Sequence, residues 1–290
     1  SFTAILLGIP GANSAAATMV DGFPLAQRGR AGYAISAAVT TSTVNGILWG
    51  CLVFLLLPWY TNLIYILGVP ELWAFTVLAL ATVGFLSNRY WFRTILAIAF
   101  GIYVGMVGVN PDNNAARFGA QYWFFLEDGI QIMHVAAGLF AVPELTRGLF
   151  LKHSTADGEI RDGELWAGMK ASWLALRGGF IGAFIGLLPG LGGQMADWMA
   201  YGQAVASNPK EKFGNGNIKG VIGPEGANNA QKATSMITTV IFGIPGAKFA
   251  AILMSLFMYL GIELGTPDIG DNEELFTSMT FGFLGATVVV

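Results

Sequence analysis

Four stretches of this chain, roughly 32–57, 72–86, 94–109 and 129–149, are apolar over a length that approaches or exceeds a membrane crossing, with short loops between them. Crossing about 30 Å of hydrocarbon takes about 20 apolar residues, so the second and third stretches need flanking residues to complete a span. In lipid a backbone can satisfy its own polar groups only as a helix or a closed barrel, and runs of this length point to helices. Composition agrees: 54% of residues are apolar and 11% charged, against roughly 25% charged in ordinary soluble domains. The 39 glycines among 290 residues suit close packing of membrane helices. The expected fold is all-α, a polytopic transmembrane helical bundle. A net charge of −3 lacks the basic footprint of nucleic-acid binding, so no nucleic-acid partner is expected. Cys51 is the only cysteine, which excludes a disulfide framework and a cysteine metal cluster. Ser1 opens the chain without the charged region of a signal peptide, and none is expected.

The loops alternate in charge. Arg28 and Arg30 follow Asp21, whereas 58–71 holds no Lys or Arg. Arg89 and Arg93 come next, followed by a loop in which Arg117 faces Asp112, Glu127 and Asp128. The next loop carries Arg147, Lys152, Arg161, Lys170 and Arg177. The positive-inside rule places the first, third and fifth of these loops in the cytoplasm. Trp59, Tyr60, Tyr122 and Trp123 stand where aromatic side chains anchor the outer rim. The charged run 152–163 reads as a cytoplasmic linker between two halves.

An internal repeat supports that division. Shifting the chain by 235 residues lays Gly8-Ile9-Pro10-Gly11-Ala12 on Gly243-Ile244-Pro245-Gly246-Ala247, with nine identities over positions 3–21. Each copy reads as an apolar segment broken at Pro-Gly, then a second helix. Arg28 and Arg30 follow the first copy, but Glu263, Asp268, Asp271, Glu273 and Glu274 follow the second. Opposite charge after the same unit is the mark of inverted-topology repeats, whose discontinuous helical hairpins meet at the midplane. The expected layout is a first repeat over 1–149, a cytoplasmic linker over 150–177 and a second repeat over 178–290. The second copy is preceded by further breaks at 188–193 and 223–225 whose counterparts would lie before Ser1, and 280–290 stops inside an apolar run. The expectation is a fragment lacking both ends.

Several strings together resemble the large membrane subunit of the tripartite tricarboxylate transporters, the TctA-type permeases. They begin with Ile9-Pro10-Gly11, then Ala15 through Ala26 and Gly29-Arg30-Ala31-Gly32. Gly68-Val69-Pro70-Glu71, Val107-Gly108, Arg117-Phe118 and Asp128-Gly129-Ile130 follow. The last are Leu188-Pro189-Gly190-Leu191-Gly192-Gly193, Lys212-Phe213-Gly214, Gly220-Val221, Pro224-Glu225, Ala227-Asn228-Asn229-Ala230 and Gly243-Ile244-Pro245-Gly246. They occur in the family's order over nearly the whole chain, and their combination is more specific than any one of them. The resemblance implies a secondary transporter that imports tricarboxylates or related carboxylates, driven by an ion gradient with Na⁺ or H⁺ as coupling ion and with no cofactor. It implies a small membrane subunit and a periplasmic solute-binding protein as partners, and the cytoplasmic (inner) membrane of a bacterium or archaeon as the location. Lys248 departs from the small or hydroxyl residue expected after the second GIPGA string, which bears on the substrate range.

The residues themselves suggest where binding occurs. Pro-Gly breaks free backbone amides and carbonyls that lipid tolerates only inside protein or beside a wet cavity. Helix N-termini suit a carboxylate, and unwound carbonyls suit Na⁺. Pro10, Gly11, Asn13 and Ser14 are therefore expected opposite Pro189, Gly190, Gly192, Gly193, Pro245 and Gly246 around one substrate site. The alternative is that these glycines only kink helices and let them pack. Glu225, Asn228 and Asn229 share a helical face by spacing, fit for ion coupling, and the two asparagines for substrate as well. Against this, Pro224 and Glu225 would fit the first turn of a helix by complementing its dipole. Lys248 reads equally as a counter-charge to an anion or as a lysine snorkelling outward. Asp197 reads as a helix-end acid, Asp21 as part of a tight Asp-Gly-Phe-Pro turn, and His134 as a packed histidine.

A membrane enzyme is disfavoured, because no HExxH, GxSxG or Walker pattern occurs. A channel, or a stand-alone secondary transporter from another inverted-repeat family, stays open as the alternative function. Saturable uptake that requires an added binding protein separates these readings.

Overall fold

The computed structural model describes residues 1–9, 13–56, 91–110, 115–119, 121–127, 129–130, 171–188, 192–266 and 273–289, with scattered positions between 70 and 81 and between 134 and 146. Nearly all described secondary structure is helical, and the exception is a pair of two-residue strands, Gly108–Val109 against Ala116–Arg117. The helices are α1 (Phe2–Leu7), α2 (Ala16–Leu25), α3 (Ala31–Leu55), α4 (Trp91–Gly105), α5 (Ser172–Gly186), α6 (Gly192–Ser207), α7 (Lys219–Phe242), α8 (Lys248–Tyr259) and α9 (Glu273–Val289). The expected first span matches α3 closely. The third is shifted: α4 stops at Gly105, and Gly108–Val109 are already strand. Of the second and fourth spans only scattered positions lie within the described residues. Helix α5 opens at Ser172, upstream of the boundary expected at 177.

Among the described residues one helical stretch, Ala16–Val53, is long and apolar enough to cross a membrane. It is not straight. A wide turn over Ala26–Arg30 joins α2 to α3, and at Gly29 the backbone leaves helical geometry with φ 75. Glycine tolerates that conformation, whereas most residues do not. Helices Phe92–Gly105, Ser172–Gly186 and Lys248–Tyr259 are apolar but shorter. Fifteen residues rise only about 22 Å at 1.5 Å each, and α5 with its 15 residues is therefore less than a full crossing.

Helix α7 is the centre of the bundle and packs against α2, α3, α5 and α6. It is also rich in polar groups: Glu225, Asn228, Gln231, Thr234, Ser235, Thr238 and Thr239 are all buried. The outer faces carry the large apolar side chains, with Phe100 on α4 68% exposed and Phe180 on α5 65% exposed. Polar groups turned inward and apolar ones outward are the distribution of a chain surrounded by lipid.

Glycine sets the spacing between α5 and α7. Gly178, Gly182 and Gly186 repeat every fourth residue along α5 and form the small-residue stripe that lets membrane helices meet closely. A methyl group at Gly178 would lie 2.4 Å from the Gly223 carbonyl oxygen, at Gly182 2.2 Å from that of Ala227, and at Gly186 2.1 Å from the Thr234 hydroxyl. The α7 side contributes Gly226, where a Cβ would sit 2.5 Å from the Ala175 carbonyl oxygen.

The two GIPGA strings are entered in the same way. Both preceding helices end on a left-handed glycine, Gly8 with φ 62 and ψ 26 and Gly243 with φ 64 and ψ 19. Helical backbone resumes at Asn13 after the first and at Lys248 after the second, and these positions correspond under the 235-residue shift. The Asp-Gly-Phe-Pro string, by contrast, is no turn. It is the second half of α2, with Pro24 inside the helix.

Gly182→Val is expected to force α5 and α7 apart and destabilise the protein by about 1–3 kcal/mol or more, the usual cost of overpacking. Gly202→Ala, inside α6 where a Cβ meets nothing within 4 Å, should hold or raise stability by up to about 1 kcal/mol. Thermal unfolding of both variants in detergent distinguishes a contact that fixes the bundle from one that does not.

Candidate functional site

Three helix beginnings converge on one cavity of about 280 Å³. Ser14, in the single turn of tighter helix that precedes α2, forms one wall. Gly192, Gly193 and Gln194 open α6, and Ala247, Lys248 and Phe249 open α8. Asn228, Gln231 and Lys232 close the cavity from the middle of α7. Each helix begins after a break in the chain, and its first N–H groups have no partner within the helix. Converging N-termini bring donors and positive partial charge to one place, which suits an anion.

The breaks are held together by the backbone. The Gly192 N–H donates to the Gly246 carbonyl oxygen at 3.0 Å, so the PGLGG and GIPG breaks are directly joined. Gly246 is itself packed tightly, since a Cβ there would meet the Ser235 hydroxyl at 2.7 Å. At Gly193 a Cβ would come within 3.1 Å of Gln231 Oε1 and 3.6 Å of the Ser14 Cβ, which places the first GIPGA copy beside the α6 N-terminus. Pro245 stands half-buried between Gly243 and Gly246. Of the expected substrate residues, the structure brings Ser14, Gly192, Gly193, Asn228, Pro245, Gly246 and Lys248 into this neighbourhood. Pro10, Gly11, Pro189 and Gly190 lie outside the described residues, and Asn13 is described only as the start of the helical turn.

The expected face of Glu225, Asn228 and Asn229 divides in two. Asn228 reaches the cavity, where its Oδ1 and the Gln231 Nε2 are buried without hydrogen-bond partners. Asn229 turns toward α3 and donates through Nδ2 to the Ser42 carbonyl oxygen at 3.2 Å. Glu225, only 2% exposed, faces α1 and α2, where its Oε1 accepts hydrogen bonds from the Thr18 hydroxyl at 2.7 Å and from the Ser1 hydroxyl. The reading of Glu225 as a first-turn acid is overturned, because α7 begins at Lys219 and runs through Pro224 without ending. Asp197 is corrected as well. It lies inside α6 rather than at its end, is 1% exposed, and leaves Oδ1 without a partner.

Lys232 joins these groups. Its ammonium donates to Asn229 Oδ1 at 3.1 Å and lies within electrostatic reach of Glu225 and Asp197. Two buried carboxylates and one lysine are thus placed between the cavity and the α1–α2 side of the bundle. The sequence reading omitted both Lys232 and Gln231. Spacing held a signal for Lys232, which follows Asn228 by one helical turn, and a lysine at membrane depth marks function by default. Nothing in the sequence distinguished Gln231 from other polar residues of α7.

Asp21 lies elsewhere and has a structural task. Fully buried in α2, its Oδ1 accepts the Gly216 and Asn217 N–H groups at 2.8 Å each, and its Oδ2 accepts the Tyr201 hydroxyl at 3.0 Å. The carboxylate ties α2 to α6 and to the loop before α7.

Residues 1–290 match the family model described as the tripartite tricarboxylate transporter TctA family. An uncharacterized 52.8 kDa protein in the TAR-I ttuC' 3' region of Agrobacterium vitis is 32% identical over 281 residues, 95% of this chain and 56% of that protein. An uncharacterized protein in the TAR-II ttuC' 3' region of the same organism is 39% identical over 97 residues, 33% of this chain and 40% of that protein. The chain therefore spans about half the length of the curated relatives it matches. No solved structure matches.

Thr18→Val is expected to remove one donor from the buried Glu225 and to cost about 1–3 kcal/mol, the penalty for leaving such a group short of a partner. Thr18→Ser should restore most of it. Thermal unfolding of the two variants checks the pairing, and equal stability of both would remove Thr18 from the account.

Proposed function

Because this chain belongs to the tripartite tricarboxylate transporter TctA family, a transporter family of membrane proteins, we propose that it forms the substrate-translocating part of the large membrane subunit. In this reading it imports tricarboxylates or related carboxylates across the cytoplasmic membrane of its host in several membrane passes. The observation that carries the reading is the cavity of about 280 Å³ on which the starts of α6 and α8 and the turn before α2 converge. A carboxylate there takes N–H donors from the helix beginnings and countercharge from Lys232 and Lys248, with Ser14, Asn228 and Gln231 supplying neutral hydrogen bonds. The left-handed glycine that opens each GIPGA string and the opposite charges that follow them support an inverted-repeat arrangement, in which broken helices from both halves share one site. Uptake then proceeds by alternating access around that site, with substrate delivered by a periplasmic binding protein and a small membrane subunit completing the complex.

Coupling to an ion gradient is assigned to the buried charges beside the cavity. Glu225 and Asp197 share Lys232, so a cation or proton arriving at either carboxylate changes the field that Lys232 presents to a bound anion. This links ion and substrate without direct contact between them. The two unpartnered amide atoms, Asn228 Oδ1 and Gln231 Nε2, lie on the same side and offer one acceptor and one donor to the substrate or its water.

Proteoliposomes carrying the complete transporter and its binding protein should take up radiolabelled citrate saturably under an imposed Na⁺ or pH gradient. Lys248→Gln, at an exposed position, should keep the thermal stability and weaken citrate affinity about tenfold, the cost of one charge-assisted hydrogen bond. Unaltered affinity removes Lys248 from the site, and uptake without saturation or without the binding protein removes the permease reading. In a second measurement Glu225→Gln should flatten the dependence of uptake on the driving gradient. A variant that keeps the same ion and pH dependence would show that Glu225 takes no part in coupling.

A further inference from the structure

A second basin lies away from the substrate cavity, where the wide turn between α2 and α3 meets the loop that leads into α7. It encloses about 580 Å³, and its charged lining consists of Arg28, Arg30, Lys212 and Glu211. The acid does not neutralise the cations. Glu211 forms an ion pair with Lys219, and the Lys219 ammonium, followed by the Asn217 amide, holds its carboxyl below the usual carboxylate range. Asp21, the other carboxylate nearby, is fully engaged by Gly216, Asn217 and Tyr201. Among the described residues no carboxylate pairs with Arg28, Arg30 or Lys212.

The walls are built rather than loose. The Asp21 hydrogen bonds fix the loop backbone, and Gly216, with φ 91, lies so close to Arg28 that a Cβ would be 3.4 Å from its Nη1. The Arg30 guanidinium stacks over the Tyr33 ring, 4.5 Å from its centroid. This contact holds the planar group at the rim and leaves its N–H edge available. Two guanidiniums and an ammonium around one hollow can engage several oxygens of one anion at once, as a phosphate presents them. The basin also lies at the end of α3, a helix long enough to cross a membrane, on the side where the arginine-bearing loop belongs to the cytoplasm. Basic pockets at that depth meet phosphate head groups.

We propose that this basin is a phosphate-binding site, occupied by the head group of an anionic phospholipid or by a free phosphate, and separate from the carboxylate cavity. Arg28 and Lys212 clasp the phosphate oxygens, and Arg30 closes over them from Tyr33.

The test uses the purified protein in nanodiscs. In discs of phosphatidylcholine containing a minor share of phosphatidylglycerol, native mass spectrometry should find phosphatidylglycerol retained preferentially. Arg28→Gln combined with Lys212→Gln should reduce that retention about tenfold, while Arg28→Lys keeps a larger part of it. In discs of phosphatidylcholine alone, calorimetry with inorganic phosphate forms the second arm. Phosphate binding that is lost in the double variant, without any preference for phosphatidylglycerol, identifies free phosphate as the occupant. Arg30→Gln serves as an independent variant, and thermal unfolding confirms that each protein is folded. The proposal is overturned if folded double variant and unaltered protein retain phosphatidylglycerol equally and neither binds phosphate, or if citrate binds at these residues more tightly than phosphate.

Discussion

Backbone contact between α5 and α7 governs the rest of the structure. Helix α7 carries Glu225, Asn228, Gln231 and Lys232 through the middle of the protein, and such groups are tolerated in an apolar surrounding only when enclosed. Enclosure requires neighbours that approach closely over several turns. The glycine stripe of α5 allows this on one side by bringing main chain against main chain at Gly178, Gly182 and Gly186. On other sides α2, α3 and α6 complete the cover, with small residues such as Ala37, Ala196, Ala200 and Ala204 fully buried. With side chains this short at the contacts, the polar groups of α7 are shielded from the outside and turned toward one another.

The same economy of side chains makes the anion cavity. Where α6 and α8 begin, the chain has been interrupted by glycine and proline, so bare N–H groups face inward in place of side chains. A lipid-facing interruption of this kind would leave those groups unsatisfied at a cost of several kcal/mol each. Here the Gly192–Gly246 hydrogen bond satisfies one of them. The cavity therefore rests on structural features that the fold must accommodate in any case. Lys232 and Lys248 stand at two edges of this space.

Parts of this arrangement could be read in the chain itself. The pairing of the two GIPGA strings predicts a broken helix in each copy, and both preceding helices end on a left-handed glycine, Gly8 and Gly243, a conformation glycine adopts freely. The same reading sets Ser14, Gly192, Gly193 and Gly246 around one site, and the structure joins Gly192 to Gly246 and brings Ser14 beside Gly193. Other positions misled. Pro24 and Pro224 suggested boundaries by local preference, yet both sit inside helices whose packing outweighs the lost hydrogen bond. With the true start of α7 at Lys219, Glu225 moves from a helix end to the interior. Asp197, expected at a helix end, and Asp21, expected in a tight turn, are both buried inside helices, because sequence gives no view of burial. Their environments arise from contacts across about two hundred residues, such as that of Asp21 with Asn217.

That last contact bears on how such a protein can move. Asp21 belongs to the first half of the chain and its donors, Tyr201, Gly216 and Asn217, to the second. Parting them would strand an anion in a dry interior, which is among the most expensive changes a protein can undergo. At this end Asp21 therefore welds α2 to α6 and to the loop before α7, so that these elements hold together as one piece.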